Sequence, residues 1–258
     1  MTFHQKQTEI NEINEQIKTC LKCRLSMTRR KAIRGEGDLN ARLMLIALSP
    51  GANEDREGRM FIGPSGKILD ELLTSAGISR DSIYITNLVK CILPKNREPK
   101  QDEIEACTIF LNEEIAIVSA KVIVPLGYYA SRYILTRYAA KPPPARADYR
   151  PLYGRLIFSG MQKIFPLPHP ASLIYNPFYK HNTVKKYNKL QILSHDCKWY
   201  PVCPMKYYFE QGRLERKWIE LYCKGDWEDC IRYQKEESGI YHPDWMLPDG
   251  SADESLHT

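Results

Sequence analysis

Three groups of residues in this 258-residue chain have types and spacings suited to chemistry. The first is its eight cysteines, which sort into two fours. Cys20 and Cys23 form a C-x2-C half-site, in which two intervening residues let both thiolates face one metal. Cys91 and Cys107 have fifteen residues between them, a spacing that by itself fits small core residues as well as ligands. Cys197, Cys203, Cys223 and Cys230 are spaced x5, x19 and x6, which matches no zinc ribbon, yet all lie within 34 positions of a segment with little aliphatic core. For this set, zinc, an iron–sulfur cluster and plain thiols are all open readings, with His195 and His242 as alternative ligands. The second group is the stretch "SPGANEDREGRMFIGPSG", where glycines surround an acidic pair and one aromatic residue, Phe61. The third is His169, set between Pro168 and Pro170, which restrict the backbone and aim the ring.

These groups need elements to position them. The apolar run 43–48 ("LMLIAL") fits a buried strand, and 65–76 carries Ile68, Leu69, Leu72 and Leu73 at helical spacing. Residues 82–90 read as strand, 101–120 as a long helix opened by acidic residues, 121–127 as strand and 128–140 as helix. The Pro-rich stretch 141–154 reads as loop, and 155–173 as two short strands and a turn into the last helices. Strands alternating with helices imply an α/β fold: a three-layer α/β/α sandwich with a central, mostly parallel sheet. Sites in such sheets gather where the strands' carboxyl ends open into loops. The Gly-rich stretch, "TNLVKC" and "PLPHPASL" all fall at such ends. The alternation stops near residue 195, so the expected division is 1–195 as the main domain and 196–258 as a small Cys-rich C-terminal appendage.

Charge divides the chain in the same place. From Asp196 onward there are 8 Lys and Arg against 13 Asp and Glu; the totals of 37 and 31 leave 29 and 18 for residues 1–195, a net of +11. A basic body suits a polyanionic partner, and an acidic tail does not suit a main nucleic-acid contact. No stretch approaches eighteen consecutive apolar residues, and the N-terminus has no apolar signal core. The expected location is the cytoplasm, beside the nucleoid, where thiols outnumber disulfides.

The motif S-P-G-x2-E-D-x2-G-x2-F-x-G-x-S-G-x2-L over 49–69 resembles the first motif of the family 4 uracil-DNA glycosylases. "TNLVKCILPKNREP" resembles that family's second block, and "PLPHPASL" its closing His-Pro motif. The blocks keep the family's order over about residues 15–190. The resemblance implies that Cys20, Cys23, Cys91 and Cys107 ligate a structural [4Fe–4S] cluster, and that the partner is DNA, single- or double-stranded, carrying an altered pyrimidine. A second metal, zinc or iron–sulfur, is the corresponding expectation for Cys197, Cys203, Cys223 and Cys230, in a tail that suits a protein-interaction element.

A base-excising enzyme must first take the base out of the stack. On this resemblance Phe61 stacks on the flipped pyrimidine, Asn87 pairs with its O4 and N3–H, and His169 donates to O2 as the base departs. Read without the resemblance, Phe61 also fits a core plug and Asn87 a loop cap. Gly51 permits close backbone approach, and the amides near Ser65 suit a phosphate at a helix N-terminus. Lys90, Lys95, Asn96 and Arg97 are candidate DNA contacts. Leu173 is expected either as a wedge into the vacated stack or as ordinary helix packing. Glu54 and Asp55 are expected to brace their loop through backbone hydrogen bonds. The pattern departs from the family at Leu48, which stands where the family has a glutamate thought to activate water; Ser49 is the remaining polar group there. The expected activity is monofunctional excision of uracil or a related pyrimidine. A same-fold glycosylase for another or bulkier base and a non-catalytic DNA-binding module are the alternatives.

Overall fold

The computed structural model describes residues 1–258 apart from 139–143, 145–146, 160–161, 195, 226 and 258. His195, an alternative ligand above, and part of the Pro-rich stretch lie outside the described residues. The chain forms two compact units, Met1–Leu190 and Gln191–Thr258, so the division falls slightly ahead of the 195/196 boundary.

The first unit is built on a six-stranded sheet: β1 (Glu36–Gly37), β2 (Leu43–Ala47), β3 (Tyr84–Asn87), β4 (Val122–Pro125), β5 (Ile157–Ser159) and β6 (Gln162–Ile164). The spatial order is β1-β3-β2-β4-β6-β5. β3, β2, β4 and β6 run parallel, with β1 and β5 antiparallel at the edges. All five residues of β2 are buried, as expected of a strand covered on both faces. Met44 and Ile46 join one core with Ile10, Ile13 and Ile17 of helix α1 (Phe3–Thr19) and Phe110, Leu111 and Ile115 of the long helix over 101–118. Leu43 and Leu45 alternate onto the opposite face. Helices cover both sides, giving the expected three layers.

Because β3 and β4 flank β2 on opposite sides, the connections leaving β2 and β3 diverge at its carboxyl end. That is where an open α/β sheet leaves a crevice. The Gly-rich stretch after β2 is not all loop. It holds a short helix, α2 (Ala52–Glu57), before α3 (Pro64–Ser75), because its acidic first turn and Gly58 in the left-handed region (φ 84°) start and stop a turn and a half of helix. α4 (Gln101–Val118) follows β3, α5 (Tyr128–Tyr138) follows β4, and α6 (Ser172–Tyr175) and α7 (Lys180–Asn188) close the unit.

The second unit has a core of Met205, Tyr208, Leu214, Ile219, Cys223, Leu247 and Leu256, formed by short helical turns. No helix among the described residues is long and apolar enough to cross a membrane.

Candidate active site

Phe61 sits with φ 47°, in the left-handed region that a bulky residue rarely adopts. The surroundings fix it there. Glu54, buried at the end of α2's first turn, accepts the amides of Ile62 and Gly63 through Oε1 at 2.9 and 2.7 Å. Arg80 donates to the carbonyls of Met60 and Phe61 at 2.5 and 3.1 Å while its guanidinium pairs with Asp70. Gly66 brings α3 so close that a Cβ there would lie 1.8 Å from the Phe61 carbonyl oxygen. Asp55 accepts the amides of Arg30 and Lys31, tying the same stretch to the segment after the first cysteines. Both acids therefore brace backbone, as the sequence suggested. Gly51 has a different reason for being glycine: a Cβ would meet the Glu54 carboxylate at 2.6 Å.

The Phe61 ring stacks against His169, with centroids 5.9 Å apart and planes at 28°. His169 follows β6, where the Leu126–Leu167 bridge and the Gly127 amide to Leu167 carbonyl bond carry the sheet pairing to the rim. Gly127 adopts φ 81°, and its missing Cβ would lie 3.0 Å from that of His169. His169 Nδ1 accepts the Ala171 amide at 3.1 Å, so the proton of the neutral ring resides on Nε2. Burial holds this imidazole well below its usual range, at about 4. At neutral pH His169 is therefore an uncharged Nε2–H donor.

Asn87 ends β3 with its side chain buried, and its Nδ2 donates to Met60 Sδ at 3.3 Å, a weak acceptor. Asn87 is thus brought to the residue beside Phe61. A cleft of about 290 Å³ opens next to this group; its walls include Leu48, Ser49, Asn96, Arg97, Tyr128 and His169. Its described lining contains His169 but neither Phe61 nor Asn87, which contact the His169 ring and Met60 Sδ respectively.

Other expected contacts are placed differently. Lys90 cannot reach a phosphate. It is fully buried, and its Nζ is held by Glu114 and by Thr86 Oγ1 at 2.6 Å. Glu114 is equally buried and also accepts from Thr86, Tyr84 and the Gly35 amide, so a compensated charge pair lies behind β3. Arg97 reaches the cleft, but Glu103 grips its guanidinium through both carboxylate oxygens. Lys95 and Asn96 are exposed and have positive φ (55° and 54°), so their loop is held in a strained shape at the cleft edge. Ser65 is half-buried in the first turn of α3, beyond the Gly63 cap. Leu173 is buried at 6% exposure, which removes it as a wedge and leaves helix packing; the projecting side chains there are Tyr175 and Phe178, at 83% and 90% exposure. Sequence reasoning missed Arg80 and the Gly127–Tyr128–Tyr129 corner. The corner lies at the carboxyl end of a parallel strand, so that rule alone would have found it; Arg80 sits in a turn with no local signal.

Cys20, Cys23, Cys91 and Cys107 line one small cavity with Arg29 and Phe110. Arg29 donates to Cys91 Sγ at 3.0 Å, and the Lys90 amide to Cys107 Sγ at 3.1 Å. Burial pushes the Cys107 thiol up to about 12, so only a bound metal would keep it as thiolate there. Donors aimed at sulfur from a cation and an amide fit a thiolate-ligated cluster. Among the described residues, no three His, Cys, Asp or Glu side chains close around a single ion.

Residues 34–191 match the family model described as the Uracil DNA glycosylase superfamily. The type-4 uracil-DNA glycosylase of Sulfurisphaera tokodaii is 34% identical over 216 residues, covering 81% of this chain and 93% of that protein. The type-4 enzyme of Saccharolobus solfataricus is 37% identical, over 64% of this chain and 77% of its own length. That of Thermotoga maritima is 35% identical, over 64% and 82%.

Proposed function

The chain belongs to the uracil DNA glycosylase superfamily, and on that premise we propose that its first unit is a DNA glycosylase that excises uracil and leaves an abasic site. The observation that carries this reading is the neutral, Nε2-protonated His169 stacked beside Phe61 at the carboxyl edge of the sheet. Phe61, locked by Glu54, Arg80 and Gly66, offers a rigid aromatic surface to the flipped base. Asn87 reads the pyrimidine edge, exchanging its weak sulfur acceptor for O4. As the bond between the base and C1′ breaks, its electron pair moves onto the uracil ring, and His169 Nε2–H stabilises the charge at O2. Water then bonds to C1′, and its proton passes to the departing uracil anion or to solvent. A neutral donor suits this step because it stabilises the anion without first protonating it.

Ser49, half-buried in the cleft wall, orients that water, and Leu48 beside it has no proton-accepting group. Phosphates of the flipped strand are met by Lys95 and Asn96, by Arg97 in part, and by the amides at Ser65, with Gly51 shaping the loop behind them. Tyr175 and Phe178, rather than Leu173, project toward the duplex stack. Cys20, Cys23, Cys91 and Cys107 hold a [4Fe–4S] cluster, whose contribution is structural: it ties α1, the 91–97 loop and α4 together. A DNA substrate puts this work in the cytoplasm, beside the chromosome.

The test is excision from an oligonucleotide with one uracil, scored as alkali-labile sites. The wild-type chain cleaves, and His169→Ala loses about 10²- to 10³-fold in rate while still binding DNA. Leu48 in the cleft wall supports one second reading, a broader or different altered pyrimidine as preferred base. A panel of oligonucleotides with single altered bases separates the two, and release of another base with uracil untouched replaces the first reading.

A further inference from the structure

The cysteines of the second unit are distant in sequence: Cys197 and Cys203 flank one turn, Cys223 ends another, and Cys230 precedes a helix over 231–237. All four are free thiols. All four nonetheless line a single cavity of about 190 Å³, together with aromatic residues including Trp199, Tyr200 and Tyr233. The Cys197 amide donates to the Cys223 carbonyl at 2.8 Å, which ties two of the four together through the backbone. Arg232 is buried in the same wall, giving three hydrogen bonds from one terminal nitrogen to the carbonyls of Pro243, Asp244 and Met246 while its Nε has no partner.

We propose that Cys197, Cys203, Cys223 and Cys230 ligate an iron–sulfur cluster, making the second unit a cluster module separate from the four cysteines of the first. The first set shares two of these features: four free cysteines on one cavity and one arginine in the wall. Zinc fits less well for two reasons. A structural zinc site draws its four sulfurs to about 2.3 Å from one ion, leaving no hollow between them. Here the four cysteines line a hollow of about 190 Å³, more than a single ion fills. Zinc sites also use short C-x2–4-C turns, and the x5, x19 and x6 spacings contain none. A polynuclear cluster has its own sulfides and metal atoms to fill the hollow, and its thiolates stand well apart. Its net negative charge meets Arg232, whose Nε in that wall has no hydrogen-bond partner among the described residues. This inference stands whatever base the first unit excises.

Iron, zinc and acid-labile sulfide are measured per chain in the full-length protein purified without oxygen. The expected result is about eight iron and eight sulfide, with zinc near zero. The Cys203→Ser/Cys230→Ser variant should lose about half of both and keep uracil excision, since neither residue touches that site. About four iron with one zinc per chain, the zinc vanishing in the variant, would overturn the cluster in favour of zinc. About four iron and no zinc, unchanged after anaerobic supply of ferrous iron and sulfide, would return the set to plain thiols. The wild-type stoichiometry decides even where the variant does not fold. Should the variant lose all iron while Cys20→Ser/Cys91→Ser loses none, the tail cluster stands and the first unit's cluster is the one refuted.

Discussion

His169 combines two constraints that determine its chemistry: the Ala171 amide occupies Nδ1, and burial keeps the ring neutral down to about pH 4. The pH dependence follows in sign. A folded-state pKa below the unfolded value of about 6.5 means that the unfolded chain takes up the proton first. The stability this residue contributes is complete above about pH 6.5 and is lost as pH falls through about 4. For catalysis, kcat/KM for uracil release should show no loss from His169 protonation between about pH 8 and 5. A profile that drops with a midpoint near 6.5, absent from His169→Ala, would contradict a neutral donor. Phe61 depends on an equally local feature. Gly66→Ala places a methyl group 1.8 Å from the Phe61 carbonyl, so the aromatic ring must shift. We expect excision to fall at least about 10-fold, as misplacement of a positioning group does. Helix content by circular dichroism should change little, because alanine suits a helix better than glycine.

At the scale of elements, β3 is anchored by a buried charge pair whose lysine, Lys90, is a candidate DNA contact on sequence alone. Lys90 and Glu114 satisfy each other, and Thr86, Tyr84 and Gly35 complete the carboxylate's shell. Removing one partner strands the other's charge in the interior. Lys90→Met or Glu114→Gln should each cost about 3–5 kcal/mol in urea unfolding, and Lys90→Met with Glu114→Leu should cost less than either alone. Equal additive losses would show that the pair is not coupled. The same lysine joins the site to the cysteines, since its amide donates to Cys107 Sγ and its carbonyl accepts the Ile33 amide. The strand carrying Asn87 and the cysteine-bearing segment are therefore joined through one residue.

Across the whole molecule, two units have separate cores and opposite charge, the first basic and the second acidic. In the first, α1 and α4 pack together and carry three of the four cysteines at or near their ends or within them. Oxidative removal of iron with a chelator should lower the thermal midpoint by at least about 5 °C. It should also expose the 91–97 loop to protease before excision is lost on short substrates. An unchanged midpoint after complete iron loss would mean that apolar packing alone holds α1 in place.

The sequence by itself determined the layered α/β plan, because strand-like apolar runs such as 43–48 alternate with helical patterns along the chain. It also determined the bracing role of Glu54, whose partners Ile62 and Gly63 lie in its own loop, whereas Asp55 finds its amides at Arg30 and Lys31, as far along the chain as Glu114 is from Lys90. Only the tertiary structure decided that Lys90 is internal, that Leu173 faces in while Tyr175 and Phe178 face out, that Arg80 pins Phe61, and that Tyr128 joins the cleft. The physical reason is range. Periodicity and turn chemistry act over a few residues, whereas a charge is settled by whichever group the fold brings beside it, and Glu114 reaches Lys90 from 24 residues away.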